Sequence, residues 1–213
     1  MSELISAITA FIISHAIPAV PPLRAYLIRA MGFRLYVTLY SMISLAVLVW
    51  LGLAYANAPF VEVWEFRAWT RWLTVSLMAP ACYLLVVGLF SANPLSLSLI
   101  PAERFDPARP GIVGLMRHPV IWSIGLWALA HMAPNGDLAS LLMFSLLLLA
   151  GLTGPRSLDA KRRAKLGAQQ WAALAHAETS LKGLTFWPLA GAMVLYAGLY
   201  LAHEWVIGVP PLP

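Results

Sequence analysis

The chain has 213 residues, of which 61% are hydrophobic and only 11% charged, whereas a soluble domain is about 25% charged. This balance excludes a soluble fold and marks an all-α, polytopic membrane protein. The net charge of +5 does not indicate nucleic acid, because the Lys and Arg lie in the connections between apolar runs, and the lone cysteine, Cys82, excludes an intramolecular disulfide or a multi-cysteine metal cluster.

The chain opens with MSELISAITAFIIS, which carries Glu3 and no Lys or Arg where a signal peptide has its positive region. It is therefore expected to be a retained membrane helix. A spanning helix needs about 20 mostly apolar residues. Segments at 4–20, 36–57, 72–91, 119–135, 138–154 and 186–207 meet or approach this, the first, fourth and fifth being short. A single membrane domain over 1–213, a transmembrane bundle of about six spans, is the expectation. No internal repeat is visible.

Between the third and fourth spans, residues 92–117 contain Pro94, Pro101, Pro107 and Pro110, so they cannot form one straight helix. Between the fifth and sixth, SLDAKRRAKLGAQQWAALAHAE at 157–178 reads as a basic amphipathic helix on the cytoplasmic leaflet, with Ser157 as its cap and Leu158, Leu166, Trp171 and Leu174 as anchors. Placing these two loops and residues 21–35 inside puts twelve of the fourteen Lys and Arg in the cytoplasm, leaving Arg67 and Arg71 outside. Both termini are then periplasmic. The closing HEWVIGVPPLP is expected to fold as a rigid tail over the outer mouth of the bundle.

Four histidines lie in or at these spans. At 1.5 Å per residue, His131 sits roughly 20 Å beyond His118, and the two are rotated by about 140°. One compact site cannot use both. His203 is level with His131 on this measure, and His15 is nearer to His118. Imidazoles from different helices are what an axially ligated haem requires, although spacing alone does not separate haem from a metal ion. Arg117 and His118, in RHPV just before a helix start, form a basic pair able to face an anionic group: a lipid phosphate, a haem propionate or a cofactor carboxylate.

The stretches SHAIPAVPPLRAYLIRAMGFRLYVTLYSMISL, ANPLSLS, PARPGIVGLMRHPVIWSIGLWALAHMAPNGDLASLLMF and HEWVIGVPPLP together resemble the NnrU family over essentially the whole chain. The resemblance implies a bacterial inner-membrane protein linked to nitrite and nitric-oxide metabolism. The family is similar to the zeta-carotene isomerases, membrane enzymes with haem b. Their haem histidines match His15 and His131, with His203 kept as substitute ligand. Membrane lipids and an apolar polyene or other lipophilic substrate would be the partners. This chain departs from the isomerases at Ala128, where they carry a cysteine three residues before the second histidine. Their redox-dependent change of ligation therefore does not carry over.

Two other readings stay open. RHP ahead of a membrane helix is also similar to isoprenylcysteine and phospholipid methyltransferases, where it helps bind S-adenosylmethionine, although the acidic pair expected downstream is not evident, since Asp159 and Glu178 are far apart. The third reading is a non-catalytic assembly or regulatory component of the membrane.

Overall fold

The computed structural model describes residues 1–16, 20–175 and 182–212. Residues 17–19, where the first span was expected to end, and 176–181, the far end of the expected surface helix, lie outside the described residues. The described chain is helical: α1 (Ser2–Ala16), α2 (Pro21–Met31), α3 (Phe33–Ala56), α4 (Ala68–Phe90), α5 (Ile112–Leu115), α6 (Pro119–Met132), α7 (Leu138–Leu166), α8 (Ala168–Ala175) and α9 (Trp187–Ile207). Helices satisfy their own backbone groups, which an apolar surround demands.

Four of these, α3, α4, α7 and α9, are long and apolar enough to cross a membrane. Helices α1 and α2 pass the same test only as a pair, with their axes bent by 79°. Helix α6, expected as the fourth span, is apolar but has 14 residues. The largest difference from expectation is in α7. It does not stop at residue 154 but runs through Pro155 to Leu166, so the basic stretch from Ser157 continues the spanning helix and begins no separate surface helix. The break comes at Gly167, whose φ of +80° ends α7 before α8. Arg163 then lies 5.6 Å from the ring centre of Trp171.

The described residues form two compact units. Unit 1 comprises 1–64 and 137–143. Here α1 and α2 pack on α3, with Leu4, Ala7, Leu51 and Ala54 buried. Its other end is tied by Leu138 N–H donating to Val61 C=O at 2.8 Å and by a 2.9 Å bond between the Tyr55 and Ser140 hydroxyls. Asp137 accepts from the Ser140 N–H at 3.0 Å and so caps the first turn of α7.

Unit 2 comprises 65–136 and 144–213. Its centre is α4, which packs against both α6 and α9. Cys82, Val86 and Ala192 form one buried cluster, and Val87, Ile112 and Val113 another. Cys82 is the buried small residue that its surroundings suggested. Side-chain donors reach carbonyls of neighbouring helices: Thr74 to Ala130 at 2.7 Å, Ser123 to Ala81 at 2.7 Å and Tyr196 to Val75 at 3.1 Å. Such bonds hold apolar helices in register where hydrophobicity does not distinguish one face from another. The C-terminal tail turns back, with Arg71 donating to Leu212 C=O at 2.9 Å.

Candidate functional site

Two constellations in unit 2 and one in unit 1 hold the residues singled out from the sequence. The first forms where the proline-rich connection meets α6. Pro119 occupies the first turn of α6, where its missing N–H costs nothing, and His118 is the residue before it. The backbone leading in is pinned by Asn93, which is buried. Its Nδ2 donates to Arg117 C=O at 2.8 Å, while its Oδ1 accepts from Leu95 and Ser96 N–H at 2.9 and 3.0 Å.

Arg117 and His118 both turn to one carboxylate, Asp159 of α7. Arg117 donates from Nε to Oδ1 at 3.3 Å and from Nη2 to Oδ2 at 2.8 Å; His118 Nε2–H donates to Oδ1 at 3.0 Å. The His118 side chain is 3% exposed, and its Nδ1 is buried with no hydrogen-bond partner among the described residues. Burial therefore pushes this imidazole below its ordinary pKa. Asp159 pulls the other way, while Arg117 and Arg162 add to the lowering. The neutral Nε2–H tautomer results, with Nδ1 an unused acceptor. An anionic ligand facing this basic pair would meet an arginine already engaged at two nitrogens.

From the sequence, Asp159 is weighed only against Glu178 as an acidic pair and not as the partner of His118, from which it is 41 residues away. A signal was present nonetheless: it is the one acid in LDAKRRAK, and continuing the period of the preceding span carries it onto the inner face of α7.

The second constellation surrounds His131 in the last turn of α6. Its Nδ1–H donates to Trp127 C=O one turn back at 2.8 Å. That bond fixes the tautomer and leaves the Nε2 lone pair free of any hydrogen bond within the described residues. Trp127 and Phe144 flank the ring, with centroids at 5.2 and 5.5 Å. His203 on α9 is built alike, its Nδ1–H donating to Val209 C=O at 2.8 Å. His203 lies in the same compact unit as His131. Ala128, the point of departure from the isomerases, is fully buried.

The third constellation is in unit 1. His15 closes α1, its Nδ1–H donating to Phe11 C=O at 2.8 Å and its Nε2 accepting from the Ser44 hydroxyl at 3.2 Å. His15 and His131 thus belong to different units, whereas His131 and His203 share one. Among the described residues no three of His, Cys, Asp or Glu gather as a metal-ion site. Any iron held by these histidines needs most of its ligands from a macrocycle.

Searches among curated proteins and solved structures found no match. The family model described as NnrU protein matches residues 3–211, nearly the whole chain. On that match, the chain belongs to the NnrU family.

Proposed function

We propose that this chain is a multi-span protein of the bacterial cytoplasmic membrane that binds one b-type haem through His131, with His203 as the second imidazole, and serves nitrogen-oxide metabolism. The observation that supports the reading best is the His131 side chain. Its Nδ1–H is committed to a backbone carbonyl and its Nε2 is free, which is how proteins orient an imidazole for a metal. The donor set is compatible with a macrocycle: two imidazoles with their tautomers fixed, of which His131 is flanked by the Trp127 and Phe144 rings, and no third ligand needed. When bound, haem would supply an iron centre for electron transfer, for sensing nitric oxide, or for isomerising an apolar polyene. The residues of this chain would orient the ring and exclude water. The resemblance to haem-binding isomerases points to His15 in place of His203, and the two assignments predict different variants.

The excess of Lys and Arg in the connections supports a topology with both termini periplasmic. In a Cys82→Ala background, cysteines introduced as Ser2→Cys and Leu212→Cys should react with a membrane-impermeant maleimide added to cells whose outer membrane has been permeabilised. Protection of both until the inner membrane is lysed reverses the orientation.

The functional test is the visible spectrum of the detergent-purified chain, oxidised and reduced. The expected result is a Soret band that is lost in His131→Ala, weakened or shifted in His203→Ala, and retained in His15→Ala. A folded, colourless protein overturns haem binding and leaves a non-catalytic membrane component. Loss of the band in His15→Ala with its retention in His203→Ala transfers the second ligand to α1.

A further inference from the structure

Unit 1 contains a groove of about 350 Å³ between α1 and α3, at the small end of the volumes that take organic ligands. Phe11, His15, Tyr40, Ser41, Ser44 and Leu48 are among its lining, and none of the lining residues is Asp, Glu, Lys or Arg. The Phe11 ring stacks on His15 at 4.1 Å, and Tyr40 meets the imidazole edge-on at 6.3 Å.

The hydrogen bonding of this groove is incomplete at two hydroxyls. His15 is satisfied at both nitrogens, by Phe11 C=O and the Ser44 hydroxyl. The hydroxyls of Tyr40 and Ser41 make no hydrogen bond to any described residue, so two donors lack acceptors. By helical rise they lie about 10 to 12 Å into α3, a helix about 36 Å long, well inside a span. Unpaired hydroxyls in hydrocarbon are costly, and no water reaches them there to compensate.

These features restrict what can fill the groove. A lining without charge selects a neutral molecule and disfavours a phospholipid headgroup, which also stays at the surface. Each of the two unpaired hydroxyls has an O–H to donate, and carbonyl or ether oxygens of a ligand without charge would accept from both. The flat faces of Phe11 and His15 favour a planar ring, and Leu45 and Leu48 continue the groove as an apolar wall along α3. We propose that this groove binds a neutral lipophile of the isoprenoid-quinone class, with its carbonyl-bearing ring beside His15 and its chain along Leu45 and Leu48. The site is independent of iron at His131.

Decylubiquinone titrated into the purified full chain in nanodiscs, followed by quenching of intrinsic fluorescence, tests this. Saturable binding is expected. The double change Tyr40→Phe with Ser41→Ala keeps the shape and removes both donors, and should weaken binding about tenfold. Leu48→Trp fills the groove and should abolish binding, while Met42→Ala, on α3 but outside the groove, should leave it unchanged. Circular dichroism matching the parent verifies each fold. Absent or unsaturable binding overturns the proposal, as does equal affinity in the parent and the double variant. Loss of a haem Soret band in His15→Ala would assign the groove to iron and also overturn it.

Discussion

Gly151→Val is expected to destabilise unit 2 by about 2–3 kcal/mol, the upper part of the range for overpacked interiors. A Cβ at Gly151 would lie 2.5 Å from the Cα and 2.9 Å from the N of Gly125. Both are backbone atoms of α6, so no rotamer change relieves the clash and the two helices must separate. The relation is asymmetric: a Cβ at Gly125 would stand 3.2 Å from the Gly151 Cα, so Gly125→Ala should cost about 1 kcal/mol or less. A Cβ at Gly154 would meet Ile121 Cγ2 at 2.9 Å, the end of a side chain that can give. Small residues at a helix crossing let backbones approach where lipid supplies no hydrophobic drive. Reversible unfolding in mixed detergent micelles, read by tryptophan fluorescence, measures both variants. A Gly151→Val protein as stable as the parent would mean that α6 and α7 do not cross here.

That crossing also builds the Arg117–His118–Asp159 cluster. From the Gly125–Gly151 contact, two turns back along α6 lead to His118, and eight residues forward along α7 lead to Asp159. The helices run antiparallel, so both steps go the same way, with Ile121 and Gly154 between them.

Asp159→Ala is the second change with a large expected effect, about 2 kcal/mol. Most of it comes from the buried His118 Nε2–H, which loses its acceptor. The arginine arm contributes less, because the Arg117 side chain is 40% exposed and solvent screens the pair. Asp159→Asn keeps an acceptor oxygen without the charge and should lose about half as much. The same cluster makes stability depend on pH. Burial holds His118 below its unfolded pKa, so the unfolded chain binds the proton more readily. Stability is fully present above about pH 6.5 and falls as the pH drops below it toward the lowered folded value. The structural cause is Nδ1, where the second proton would sit buried without a partner. The midpoint temperature should fall between pH 7.5 and 5.5 in the parent and change much less in His118→Gln. An equal slope in both proteins would remove His118 as the cause.

What was legible in the sequence, and what was not, divides along a physical line. Membrane class, helical content and the places of the four long apolar helices α3, α4, α7 and α9 follow from composition and run length, because hydrocarbon tolerates few other ways of satisfying a backbone, whereas the expected first span is a bent pair and the fourth only 14 residues. The start of α6 at Pro119 follows from proline's fixed φ and missing N–H, and kinship with the NnrU family from residues spread along the whole chain. The end of α7 was misjudged because hydropathy fades at residue 154 while the helix continues on local geometry through the basic stretch. Rotation about each helix axis is what the sequence left open. These helices are apolar on nearly every face, so no amphipathic stripe indicates which side meets a neighbour. Only the packed structure decides that Asp159 faces Arg117 and His118, that Gly125 meets Gly151, that Trp127 and Phe144 flank His131, and that His15 lines a groove of its own. Each depends on backbone approach and side-chain direction between segments far apart in the chain.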